Sequence, residues 1–374
     1  MEESKYNSKE NIKITYFFGA GASYHSVPIW SVQAKSMEWV AEKLEDLLKD
    51  IKYKESYKEY YKILVDNKII IEIISNLKKY SSKAEEFGTL DIYAKNLHLL
   101  RNNKELNRLK YHLSIYFDLW EHFVGHRTLL DSDNYYSKID KRYYSLLAVI
   151  LKEGKYNPMV NEDVSFISWN YDLQLEMAYK SFMSNPEKET LESLNEEFPY
   201  FLEEKNKRNI HLNGFRGVFN HNGEIFSNVG KEYWKSIEDY LIGIINNEED
   251  FNKGTKIRLN IDYQNNIKYA WEENSRSIKE ASDVLENTDV LIIIGYSFPS
   301  YNREVDSELL KAFESSKRKG NKRIIYQNIE DNTEIIKSIT NIEPEFYSNV
   351  SQFNIPQEFL FPRKLQEIYN GISP

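Results

Sequence analysis

Residues 14–30 read ITYFFGAGASYHSVPIW, and the fold turns on how this stretch is read. Ile14 to Phe18 form a short apolar, aromatic run with the bulk of a buried strand, which breaks abruptly into Gly19-Ala20-Gly21-Ala22-Ser23. The pattern predicts a strand feeding a tight turn at the start of a helical region. Small residues from Gly19 to Ala22 let the backbone approach a ligand closely, and the amides of such a turn can point at a pyrophosphate. A glycine-rich turn with no ligand fits the same letters. The usual dinucleotide fingerprint has a third glycine, and an acidic residue about 20 positions on at the end of a second strand. Here Tyr24 takes the third position and the chain after Trp30 reads as helix, so a plain dehydrogenase fits poorly.

Further along the chain the strand-turn-helix form recurs. Val164 to Trp169 (VSFISW) is a compact strand-like run, followed by Asn170-Tyr171-Asp172 and a helical stretch to Phe182. In an open α/β sheet the functional loops lie at the carboxyl ends of strands, which sets Asn170 and Asp172 beside the 19–23 turn if the two strands are neighbours. Either residue could instead serve only as the cap of the following helix. A third unit, Asn209 to Gly214 (NIHLNG), puts His211 at a strand end ahead of a hairpin-like segment with an Asn222-Gly223 turn. Its imidazole suits a general base near neutral pH, although a single histidine is more often structural.

In residues 289–294 (DVLIII), Val290 to Ile294 form the continuous apolar run expected of a central parallel strand covered on both faces. They lead into Gly295-Tyr296-Ser297-Phe298-Pro299, a second candidate phosphate or ribose loop. A last strand, Arg323 to Gln327, follows a predicted helix over 304–319 and ends at Asn328. Strands alternating with helices, each ending in small or polar residues, predict an α/β fold, a Rossmann-like doubly wound parallel sheet.

Between the first two units the pattern is helical almost throughout, a long insertion over about residues 31–155. Leu106, Leu109, Leu113, Phe117, Trp120 and Val124 recur three or four apart on one face. His122 and His126 in the same stretch have metal-ligand spacing, but the zinc-protease pattern needs Glu after the first His and Phe123 stands there. Helix packing is the simpler reading. The expected organisation is a polar tail over 1–13, a Rossmann-like domain over 14–340 interrupted by the insertion, and an extension over 341–374 whose residues 357–369 could form a closing helix.

Forty-one per cent hydrophobic and 14% aromatic residues in a chain of 374 suffice for a large core, so disorder is not the default. A net charge of -9 makes direct nucleic-acid binding unexpected, since free-standing binders are usually basic. Cysteine is absent, which removes disulfides, thiolate nucleophiles and Cys-based zinc sites and fits a reducing cytoplasm. The first 13 residues lack the apolar centre of a signal peptide, and no run approaches the ~20 apolar residues of a membrane span. The expectation is a cytoplasmic protein with no membrane contact.

Taken together, Gly19-Ala20-Gly21-Ala22-Ser23 with Ser26-Val27-Pro28, Asn170-Tyr171-Asp172, His211 before Gly214, Gly295-Tyr296-Ser297 and Asn328 after an apolar strand resemble the ordered motifs of the sirtuin family. The resemblance covers about residues 14–330 and favours the bacterial sirtuin-like effectors that hydrolyse NAD in anti-phage defence. It implies that Gly19, Ala20, Gly21 and Ser23 hold the pyrophosphate and nearby ribose of NAD, the substrate, and that Gly295, Ser297 and Asn328 line the adenosine side. It further implies that Asn170 orders the nicotinamide ribose and the attacking water, Asp172 grips the carboxamide, and His211 acts as base, with no metal required. Nicotinamide is already a cationic leaving group, so the chemistry chiefly needs a positioned ribose, stabilisation of an oxocarbenium-like centre and a water.

The departures from the family pattern weigh on the activity. Its protein deacylases resemble one another in a four-cysteine zinc module, impossible in this chain, and the arginine expected after the Pro-containing loop is replaced by Ile29-Trp30-Ser31. Both argue against deacylation. Effectors of this kind resemble subunits controlled by homo-oligomerisation or by a separate protein, a HerA-type ATPase first or a short Argonaute. Three other readings stay open: a non-catalytic sensor of NAD or ADP-ribose, an α/β scaffold with a vestigial pocket, and an ADP-ribosyltransferase.

Overall fold

The computed structural model describes residues 12–124, 137–185, 208–216, 218–221, 224–227, 236–253, 267–269, 271–272, 276–315, 322–348 and 358–360. Strand β1 (Ile14–Phe18) runs into a short 3-10 turn, Ala20–Ser23, and then into four helices, α1 (Trp30–Tyr53), α2 (Lys68–Phe87), α3 (Leu90–Leu99) and α4 (Asn103–Val124). Helix α5 (Lys141–Ile150) and a small antiparallel pair, β2 (Leu151–Lys152) and β3 (Met159–Val160), lead to β4 (Val164–Ser168), α6 (Gln174–Lys180) and β5 (Asn209–His211). A second antiparallel pair, β6 (Val218–His221) and β7 (Glu224–Ser227), is followed by helices Ile237–Lys253 and Arg276–Glu286. Then come β8 (Val290–Ile294), the helix Arg303–Glu314, β9 (Arg323–Asn328), the short helix Thr333–Lys337 and β10 (Pro344–Ser348).

Six of these strands form one parallel sheet in the order β10-β9-β8-β1-β4-β5. Numbered only within this sheet and read from the β5 edge, the order is 3-2-1-4-5-6, that of the doubly wound dinucleotide-binding fold. The chain reverses its direction of winding between β1 and β8, the switch point at whose strand carboxyl ends doubly wound sheets bind their ligands. The fold is therefore Rossmann-like α/β, with a long run of helices between its first two sheet strands.

Strand composition follows from two-sided cover. Along β1, Ile14, Tyr16 and Phe18 pack into one buried cluster with Tyr143, Leu146, Leu147 and Ile150 of α5. Phe17 points to the opposite face, where Leu285, Leu309, Leu310 and Phe313 of the later helices cover the sheet. In β8, Val290, Ile292 and Ile294 join the first cluster and Leu291 and Ile293 the second, so both alternating sets must be apolar. Each of these fully buried side chains contributes about 1.5–3 kcal/mol of transfer free energy.

A third cluster belongs to the helices. Leu106, Leu109, Leu113, Phe117, Trp120 and Val124 of α4 meet α1, α2, α3 and the helix Ile237–Lys253, which confirms the face read from their spacing. Asn67 caps α2 by accepting from the Ile69 amide, Thr89 caps α3 by accepting from Ile92, and Gly88 ends α2 at φ 83°.

Two boundaries differ from the sequence expectation. Helix α5 lies within the predicted insertion yet packs on the sheet. The sheet also continues past residue 341, because Pro344–Ser348 pairs in parallel with β9 at the sheet edge. Residues 358–360 show no helix; Tyr16 donates to the Leu360 carbonyl at 2.7 Å, and the Phe359 ring packs tilted against Phe18 and edge-on against Tyr143. The polar tail through residue 11, the Asn222-Gly223 turn, His126 and the stretch 361–369 lie outside the described residues. Among the described residues no helix is long and apolar enough to cross a membrane.

Candidate active site

At the switch point the turn after β1 and the loop after β8 touch backbone to backbone. Phe18 and Ile294 are in register as the last residues of adjacent parallel strands, so the loops leaving them compete for the same space. A Cβ on Gly19 would lie 2.5 Å from the Cα of Tyr296, and one on Gly295 would lie 2.3 Å from the amide nitrogen of Ala22. The Gly19 amide donates to the Ile294 carbonyl at 2.9 Å and the Gly21 amide to the Gly295 carbonyl at 2.8 Å. This corrects the expectation that the turn's amides stand open: those of Gly19 and Gly21 are engaged by the neighbouring loop, and small residues are needed first for loop-loop packing. Ala20 is the exposed residue of the turn, with Gly21 and Gly295 half-buried and Ser297 exposed around it.

From the other side α5 braces the turn. Arg142, buried, donates from one guanidinium nitrogen to the carbonyls of Gly21 and Ala22 at 3.0 Å each, and the same group is paired with Asp140 at 2.7 Å. Nothing in the sequence pattern singled out Arg142, because a basic residue in the first turn of a helix has no distinctive spacing.

Parallel pairing of β1 with β4 sets Phe18 opposite Ser168, and this brings the 170–172 loop against the glycine turn. The Asn170 side-chain amide donates to the Gly19 carbonyl at 3.0 Å and lies 3.4 Å from the Ser23 hydroxyl, which in turn is 3.1 Å from the Tyr143 hydroxyl. Asn170 is thus not the helix cap. The N-cap position of α6 is Leu173, and Asp172, one residue before it, accepts from the Gln174 amide at 3.1 Å on its carboxylate. The Asp172 carboxyl is pushed up to about 6, chiefly by burial and also by the Glu176 charge, against the lowering effect of the bonds from Gln174 and Ser23 and of the His211 charge.

His211 ends β5 opposite Ser168, one strand further out. Its Nε2 lies 2.8 Å from Glu176 Oε1 and its Nδ1 3.3 Å from the Asn170 carbonyl. Both neighbours are acceptors, so both ring nitrogens carry hydrogens and the ring is an imidazolium in this arrangement. Burial alone would lower the His211 pKa, but the Glu176 charge and hydrogen bond overcome it, with the Asn170 carbonyl and Asp172 adding to them, and raise it. Glu176 answers in kind: burial would raise it, but His211 and Asn209 hold it below the ordinary carboxylate value. Asn209 donates to the same Oε1 at 2.7 Å, while Glu176 Oε2 and Asn209 Oδ1 are buried without a protein partner.

Sequence reading missed Glu176. A signal was present: it is the one charged residue in the buried run Gln174 to Tyr179, four residues after Asp172.

The remaining candidates gather on the other side of the glycine crossing. Asn328, at the end of β9, donates to the Tyr326 hydroxyl at 2.5 Å and reaches the Tyr296 carbonyl at 3.5 Å. Tyr296 stacks on Trp169 with ring centres 5.5 Å apart and gives its hydroxyl to Asp306 at 2.9 Å. Phe298 holds φ at 53°, an uncommon value for a bulky residue, so the loop after β8 is strained between Gly295 and Pro299. Hydrogen bonds therefore join Gly19, Ser23, Asn170 and His211 in one chain of contacts, Gly295 packs against the same turn, and Asn328 reaches the loop after β8 through the Tyr296 carbonyl. His122 packs its ring 5.6 Å from Tyr240, and among the described residues no three potential metal ligands cluster.

Comparison with known proteins finds no family model and no curated protein that matches the chain. Among solved structures, one described as the structural basis for the mechanism and regulation of Sir2 enzymes is similar over 90% of this chain and 86% of that chain, at 13% sequence identity and a TM-score of 0.32. The fold stands on the strand order and not on that likeness.

Proposed function

We propose that the chain is an NAD glycohydrolase that cleaves NAD to nicotinamide and ADP-ribose, acts by depleting NAD in anti-phage defence, and is held in check by oligomerisation or by a partner such as a HerA-type ATPase. One observation carries the reading. The Asn170 carboxamide is fixed between the Gly19 carbonyl and the Ser23 hydroxyl, at the carboxyl end of the strand beside the switch point, with His211 against its own carbonyl. A carboxamide so placed can order a ribose hydroxyl and a water at the mouth of a dinucleotide crevice.

In the proposed reaction the bond between C1′ and the nicotinamide nitrogen breaks and its electron pair neutralises the pyridinium ring. Water adds its oxygen to C1′, and its proton passes to His211 and then to solvent. His211 can accept that proton only after Nδ1 has released the hydrogen it shares with the Asn170 carbonyl. Gly19, Ala20, Gly21 and Ser23 would line the pyrophosphate and its ribose, Asp172 would meet the carboxamide, and Gly295, Ser297 and Asn328 the adenosine side.

One observation favours the sensor reading: with both His211 nitrogens facing acceptors, a ligand would meet no free base. Substitution separates the two. Asn170→Ala and His211→Ala are each expected to lower NAD turnover by at least ~100-fold while circular dichroism stays that of the parent. Turnover at the parental rate in both variants would remove them from the site.

A further inference from the structure

We propose that Glu176 is the positioning residue of His211, the carboxylate that orients the imidazole toward Asn170 and decides when it carries its proton. The inference deepens the catalytic reading and rests on it. His211 and Glu176 are both almost wholly buried, with side chains 4% and 1% exposed, so bulk water does not screen the pair. The Asn209 amide, from the same strand as His211, donates at 2.7 Å to the oxygen that faces His211 Nε2 and so holds it in place there. Oε2 has no protein partner, so the carboxylate is held through Oε1 alone, by His211 and Asn209.

A buried ion pair gives little net stability relative to apolar residues of the same size. Its position at a strand end, one contact from Asn170, is better explained by what it does to the ring. With Nε2–H held by Glu176, the nitrogen turned toward the site is Nδ1, the one that would take a proton from water.

The other groups around the ring do not replace Glu176. Asp172, from the loop before α6, adds a second negative charge at longer range and acts in the same sense. Phe215 covers the ring edge-on at 5.4 Å, and the nearby Arg216 is occupied by Asp118 and Glu121 of α4. In the folded chain the paired state holds between the lowered pKa of Glu176 and the raised pKa of His211. Above that window His211 becomes neutral and able to act as base, so activity should climb with pH through its titration.

The test is NMR titration of the His211 ring in the full chain, assigned by its loss in His211→Asn, together with the pH profile of NAD cleavage. The wild-type midpoint is expected above the ordinary histidine value of ~6.5. In Glu176→Gln the midpoint and the rising limb of the profile are expected to move together to lower pH, whereas Glu176→Asp, which keeps the charge, should stay nearer the parent. An unmoved midpoint in folded Glu176→Gln would overturn the proposal, and so would a wild-type midpoint below ~6.5, which needs no variant to fold. Should the wild type leave NAD intact, the catalytic reading fails while the ring titration still decides the part played by Glu176.

Discussion

Gly295 shows how a residue can be legible as a motif and misread as to cause. Its glycine pattern with Gly19 and Gly21 stands out in the sequence, and the expected reason was room for a phosphate. The structure supplies a nearer one: Gly295 sits at φ 65°, and a methyl group there would lie 2.4 Å from the Gly21 carbonyl carbon. Gly295→Ala should therefore lose about 2–5 kcal/mol, from left-handed strain and backbone overlap together. Gly88→Ala provides the comparison, because Gly88 has φ 83° but nothing within 4 Å of its would-be Cβ, so only the strain of ~1–2 kcal/mol applies. Denaturant unfolding of both variants checks this, and equal losses would mean that the two loops do not press on one another. Asn170 and Asp172 give the converse lesson. Both are good helix caps by composition; what separates their roles is that Asn170 reaches across the fold to the Gly19 carbonyl, while Asp172 makes the local bond to the Gln174 amide.

Between elements, the least foreseeable contact is a clasp made by α3. Asp91, in its first turn, accepts the Tyr171 hydroxyl at 2.9 Å on one carboxylate oxygen and the Tyr301 hydroxyl at 3.1 Å on the other. Tyr171 stands between Asn170 and Asp172, and Tyr301 follows the loop after β8, so one helix outside the sheet ties down both loops of the candidate site. Burial pushes the Asp91 pKa up, while the two hydroxyls pull it down. Asp91→Ala removes the acceptor from both tyrosines and is expected to cost about 1–3 kcal/mol. Hydrogen exchange should rise together over residues 169–173 and 295–303, with β1 and β8 still protected. Faster exchange confined to α3 would show that the clasp holds nothing beyond its own helix. Helical periodicity revealed α4 in full, because its apolar stripe is long and unbroken. Strand β10 was not legible, since Pro344–Ser348 is a half-covered edge strand with Pro and Glu at its start. Asp91 was invisible for a different reason: a carboxylate in a helix first turn looks like an ordinary favourable dipole contact.

At the scale of the molecule, the sheet order places every sequence-selected candidate at the carboxyl ends of β1, β4, β5, β8 and β9, which is where a doubly wound fold does its chemistry. That much was legible because each strand ended in a small or polar residue, and the alternation of strands with helices allowed few topologies. The partners of those residues were not legible. Glu176 reaches His211 across 35 residues of chain and Arg142 reaches Gly21 across 121, and local spacing carries no record of such contacts. Whether the protein breaks the glycosidic bond of NAD, as proposed, is tested most directly by product analysis. The purified chain is incubated with NAD, alone and with a co-expressed partner, and the products are separated by chromatography. Nicotinamide and ADP-ribose in at least one condition, absent with His211→Ala, are the predicted result; intact NAD in both conditions, with measurable binding, would contradict it and leave a sensor in its place.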